Sequence, residues 1–154
     1  NAGTHAWRVG NTVTPGANAT ITWVNALTIA AVTGAVTFAD SVKSTIFLET
    51  TANPSISSNV LTLNIQTASY FYVSLNANIT TLTISNPPVT GNAFSFVVEF
   101  AADGTLRTIT WPASFKWPNS IAPTMTSTNG KKDIVSAITR DGGTTWLASI
   151  SQNY

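Results

Sequence analysis

The sequence holds no cysteine, one histidine and few charges: Asp, Glu, Lys and Arg together make up 8% of it, against roughly 25% in an ordinary soluble domain. Without cysteine there is neither a disulfide framework nor a thiolate metal site. Histidine chemistry would rest on His5 alone, which has no acidic neighbour, and no G-x-S-x-G elbow stands elsewhere to supply a nucleophile. The formal net charge of +1, spread over scattered Lys and Arg, leaves no footprint for nucleic acid or for an anionic membrane. Long hydrophobic runs are missing too. The most apolar early stretch, ALTIAAVTGAV from Ala26 to Val36, is broken by threonines and a glycine, and it is too short to insert across a bilayer. No basic run leads into it as in a secretory leader. The first residue is Asn1 rather than Met, as expected of a processed chain or a piece of a longer one.

What is present is alternation. With 154 residues the chain suits one domain, or one domain with an appendage. From Val60 onward, period-two patterning recurs. Leu61, Leu63 and Ile65 alternate with Thr62, Asn64 and Gln66, and Phe71, Val73 and Leu75 alternate with Tyr72 and Ser74. TTLTIS follows with Leu82 and Ile84, and Asn86-Pro87-Pro88 stops it, because proline cannot donate to a ladder. FSFVVEF places Phe94, Phe96, Val98 and Phe100 on one face and is the expected central core strand. Asp103-Gly104, Asn129-Gly130 and Asp141-Gly142-Gly143 are turn signals of the positive-φ kind. The first is expected to join FSFVVEF to a strand bearing Ile109 and Trp111; the others flank DIVSAIT (Asp133 to Thr139) and TWLASIS (Thr145 to Ser151). About eight short strands without a helical period predict an all-β fold, a jelly-roll-like antiparallel β-sandwich.

Residues 1–54 differ in texture: Thr-Val alternation in NTVT, TITWV and GAVTF, with few large apolar anchors. Two readings stand. These strands form an N-terminal β arm covered by neighbouring copies of the chain, or they complete the sandwich built by residues 55–154. ETTANPSISSN, Glu49 to Asn59, is the expected linker.

The chemistry-bearing residues are few. Of the carboxylates, Asp103 and Asp141 open Asp-Gly turns, Asp133 opens a strand and Asp40 sits in a polar loop. No ligand series resembles a metal loop, so no catalytic residue, metal or cofactor is expected. Lys131-Lys132 reads as a solvated turn. Asn18-Ala19-Thr20 and Asn78-Ile79-Thr80 match the short glycosylation acceptor pattern. The five tryptophans carry the choice. Their faces either stack on sugar rings or fill a core. Trp111, continuing the face of Ile109, and Trp146, continuing that of Ala148 and Ile150, read as core with Phe96 and Phe100. Trp117, between prolines and beside Asn119, is the candidate adhesion surface.

Two segments, TITWPASFKWPNSIAPT and NGKKDIVSAITRDGGTTW, carry a combined pattern: Thr110-Trp111-Pro112, Lys116-Trp117, Pro123-Thr124, Gly130, Asp133 and Asp141 to Trp146. It resembles the C-terminal β-domain that recurs in bacteriophage and prophage virion proteins of tail-fibre or fibre-like type, over about Ser57 to Tyr154. The resemblance departs at Pro118-Asn119-Ser120, where that family has glycines. It implies a non-enzymatic module at the virion surface, homotrimeric, on head or tail. Its partners would be other virion proteins and, at the cell surface, a glycan. A free carbohydrate-binding module is the alternative. A polysaccharide hydrolase lacks the paired carboxylates it would need.

Overall fold

The computed structural model describes residues 5–11, 22–29, 36–38, 46 and 48–154. Most of NTVT, Asp40 and the Asn18 acceptor pattern lie outside them. The chain divides into two compact units, Asn1–Phe47 and Leu48–Tyr154. In the first unit, β1 (His5–Asn11), β2 (Thr22–Ile29) and β3 (Val36–Phe38) form an antiparallel sheet in that order. The β1–β2 register runs from His5 opposite Ile29 to Asn11 opposite Thr22 and slips between Trp7 and Arg8.

The second unit begins before the boundary expected at residue 54. Its β4 (Thr51–Ala52), inside the segment read as a linker, is already paired with β6 (Tyr70–Leu75). The remaining strands are β5 (Val60–Asn64), β7 (Thr81–Ser85), β8 (Phe94–Ala102), β9 (Phe115–Lys116), β10 (Lys132–Thr139) and β11 (Trp146–Ser151). They make a six-stranded sheet, β4-β6-β8-β10-β11-β9, and a two-stranded sheet, β5-β7. Only one short 3-10 turn, Pro118–Ser120, interrupts the strands among the described residues. The fold is all-β.

The antiparallel arrangement expected above is corrected here. From β4 to β8 successive strands alternate between the two sheets, so neighbours within a sheet run the same way: β4, β6 and β8 are parallel, as are β5 and β7. A parallel pair needs a crossover, and here the crossover is itself a strand of the opposite sheet. The chain therefore winds as a coil. Within Leu48–Tyr154 the antiparallel strand pairs are β8–β10 and β10–β11, and β9 lies parallel to β11 at the far edge.

Period-two spacing decides which face is buried. Phe71, Val73 and Leu75 from β6, Phe96, Val98 and Phe100 from β8, and Val135 and Ala137 from β10 share one core with Leu61, Leu63 and Leu82 of the small sheet. Trp146 is 2% exposed and meets Phe96 edge to face with ring centroids 5.0 Å apart. At about 25 cal/mol per Å² of apolar surface removed from water, such rings dominate the packing energy.

Asp133 is the buried exception. Its carboxylate accepts the Thr126 backbone N–H at 2.6 Å, the Thr126 hydroxyl at 2.7 Å, the Gln152 amide at 3.2 Å and the Asn153 backbone N–H at 3.1 Å. A carboxylate so surrounded is held by charge-assisted bonds and pins the start of β10 to the preceding loop and the C-terminal tail.

The Asp141-Gly142-Gly143 turn shapes the β10–β11 hairpin. Thr139 Oγ1 donates to Asp141 Oδ1 at 2.8 Å and accepts the Gly143 N–H at 3.0 Å, while Thr145 N–H donates to Asp141 Oδ1 at 2.9 Å. Gly142 and Gly143 have φ of +70° and +80°, a region that costs other residues about 1–3 kcal/mol. A Cβ at Gly142 would stand 3.0 Å from Thr90 Oγ1, and one at Gly143 would stand 2.9 Å from Pro87 Cβ and 3.3 Å from Trp146 Cζ2. Gly142→Val is therefore expected to lower the thermal midpoint, and a native midpoint would overturn the assignment of this turn. Trp146→Ala should destabilise the unit by about 3–5 kcal/mol, as truncation of a buried tryptophan does; denaturant unfolding reads it.

Candidate functional site

Asp103-Gly104 does turn the chain, but not as the expected hairpin. Asp103 Oδ1 accepts the Thr105 N–H at 3.0 Å, and its other oxygen pairs with Arg107 at 2.6 Å. The chain then leaves β8. Ile109 makes a parallel bridge to Ile79, and Trp111 lies beyond any strand. β8 instead pairs with β10 across a long excursion, closed where Gly130 N–H meets Ala102 O at 3.0 Å.

That excursion carries the Trp-Pro run. Phe115 is buried, while Trp111 and Trp117 are half-buried and packed on the core. Trp111 meets Phe100 edge to face at 6.2 Å and Trp117 at 4.8 Å. Phe115 reaches Trp146 at 6.5 Å, and Trp146 N–H donates to Ser114 O at 2.8 Å. The indole Nε1 atoms of Trp111 and Trp117 are buried without an oxygen acceptor. In an edge-to-face pair an indole edge lies against a π face, the weak acceptor open to such an N–H. The run also forms a concavity of about 300 Å³ with Pro112, Lys116, Ser120 and Ala122 on its wall. The polar atoms of both indoles are withdrawn from it. Asn119 is exposed and left-handed, with φ 56° and ψ 18°, the conformation a glycine would otherwise supply. Phe96 and Phe100, with Trp146, are buried.

A second cluster, which the sequence reading passed over, lies on the outer face of the six-stranded sheet. Register sets Glu99 of β8 between Tyr72 of β6 and Ile134 of β10. Its carboxylate accepts the Tyr70 hydroxyl and pairs with Lys132 Nζ at 2.5 Å. Lys132 Nζ also stands over the Tyr72 ring, 5.8 Å from its centroid, a cation–π distance. Lys132 donating to Glu99, with the Tyr70 hydroxyl next, holds the carboxyl below its ordinary range. The bond to Glu99 in turn raises Lys132 and Tyr70. The signal available in the sequence was the single Glu inside FSFVVEF, but its partners stand far along the chain and only the strand register brings them in.

No group of three or more His, Asp or Glu able to hold a metal occurs among the described residues. His5 belongs to β1. Asn78 is exposed, and its side-chain oxygen accepts the Thr108 N–H at 3.0 Å. No protein-family model matches the chain, and neither does any curated protein or solved structure.

The Glu99 cluster carries a pH signature. A carboxylate lowered on folding contributes stability above its unfolded value, about 4.3, and that stability is lost as pH falls through the lower folded value. Raised Lys132 and Tyr70 contribute below about 10 and lose their share as pH rises through their folded values. Glu99→Gln is expected to lower the thermal midpoint on the plateau between these limits and to shrink the difference from the parent protein below pH 4. An unchanged difference across that range would overturn the assignment.

Proposed function

We propose that this chain is a non-enzymatic structural module of a bacteriophage virion, a fibre or decoration protein that acts by assembling as a homotrimer with other virion proteins at the particle surface. In this reading the two sheets of Leu48–Tyr154 form a sandwich knob, and the unit Asn1–Phe47 is the oligomerising arm.

One observation carries the reading: residues of the fibre-like pattern are used to hold the fold rather than to present chemistry. Trp111, Trp117 and Trp146 belong to one aromatic cluster, Asp133 staples a strand to the tail, and Asp141 with its glycines closes the last hairpin. A pattern that encodes scaffold suits a protein whose work is to be a scaffold.

The outer face of the large sheet supports assembly. Its strand residues carry three charges: Glu99 and Lys132, which close on each other, and Lys116 on β9, whose Nζ donates to Ala113 O. Opposite each other on the β10–β11 side stand Ile138 and Leu147, 47% and 61% exposed, with Ser136 and Ser149 beside them. An apolar and hydroxyl-bearing patch of this kind, with Lys116 at its border beside Leu147, suits contact with a second copy. Light scattering on the full chain should give a trimer mass, and Ile138→Glu with Leu147→Glu should lower it. A monodisperse monomer for the parent chain would refute the assembly. The alternative, a free carbohydrate-binding module, predicts sugar binding by that monomer and no association with particles.

A further inference from the structure

β4 ends at Ala52, and the residues after it keep its alternation: Asn53 and Ser55 are exposed, while Ala52, Pro54 and Ile56 are half-buried. The neighbouring β6 does the same with Tyr72, Ser74 and, just past its end, Asn76. Because Ala52 stands opposite Phe71, both runs turn their exposed positions to the outer face at this edge of the sheet. Together they line a concavity of about 290 Å³ walled by Asn53, Ser55, Tyr72, Ser74 and Asn76, with Pro54 and Ile56 as its aliphatic lining.

Three features distinguish this hollow from an ordinary polar edge. Its four amide and hydroxyl side chains hydrogen-bond to nothing else among the described residues, whereas Asn64, Asn78 and Asn86 are engaged. No charged side chain lines it. Its one aromatic ring is set in place beforehand: strand order puts Lys132 on the β8 side of Tyr72 and the hollow on the β4 side, and Lys132 is itself held by Glu99 and Tyr70 through it. A ring held in this way loses little freedom when a ligand arrives.

We infer that this hollow is a binding site for a neutral glycan. A sugar ring offers apolar C–H groups to an aromatic surface and hydroxyls that both donate and accept. Asn amides and Ser hydroxyls answer both roles, and the absence of charge favours an uncharged hexose or N-acetylhexosamine over a sialylated or sulfated one. The volume, near the lower limit of about 300 Å³ for small-molecule sites, suits one terminal residue. The site lies at the β4 edge, opposite β9 and away from Ile138 and Leu147, and it does not depend on the oligomeric state proposed above.

The test is binding of the full chain to an immobilised panel of neutral hexose and N-acetylhexosamine oligosaccharides with sialylated and sulfated counterparts, the mass of each sample being recorded by light scattering. Neutral members should be retained. Tyr72→Ala should weaken them by about tenfold or more, as loss of a central aromatic anchor does, and Asn76→Ala, a change at an exposed side chain, should weaken them in a variant that keeps the native melting profile. Trp117→Ala should leave binding intact. Failure to retain any neutral glycan, preference for the charged ones, or loss through Trp117 with Asn76→Ala unaffected would each overturn the inference. Binding by a monomer would leave it standing while removing the trimer.

Discussion

The edge-to-face contact of Trp146 with Phe96 is the joint on which Leu48–Tyr154 turns. Phe96 belongs to β8 in the middle of the large sheet, and Trp146 opens β11 toward its edge. Phe71 extends the ring contacts into the wound half, at 6.2 Å from Phe96, and Phe115 extends them into the Trp-Pro run. Backbone ladders hold each sheet together, but the excursion between β8 and β10 makes few ladder bonds of its own. Aromatic packing fixes it, and the glycine beneath the Trp146 indole lets the last hairpin close over that ring.

Which faces are buried was legible in the sequence, since alternation of Phe, Val and Leu with Thr, Ser and Glu reports the side of a strand directly. Strand direction was not legible. A parallel and an antiparallel neighbour demand the same period of two, so β5 to β8 read identically in either arrangement, and the Asp103-Gly104 pair suggested a hairpin that the chain does not make. The turn at Asp141 was legible because its whole mechanism, a short acidic side chain and two glycines, lies within consecutive residues. The Glu99 cluster and the Tyr72 hollow were not, because each is assembled by register from strands distant in sequence.

The same sequence economy runs through both surfaces of the large sheet. Charge is scarce, and where it occurs it is used locally: Asp133 in a staple, Asp103 with Arg107, Glu99 with Lys132. Most of the remaining polarity comes from Ser, Thr and Asn, whose short side chains lose little rotamer freedom when covered. Such a surface suits burial against another copy and contact with hydroxyl-bearing ligands, the two uses proposed above.

Lysines commonly keep strand edges from joining, and this sheet has one at its border, Lys116, exposed on β9. The six-stranded sheet is bounded by β4 and β9, each two residues long. Pro54 follows the first and Pro112 precedes the second, residues that cannot donate to a ladder and so keep each border strand short. Brevity, proline and a single lysine are thus the devices by which a weakly charged β protein limits what each border strand can offer to a foreign one.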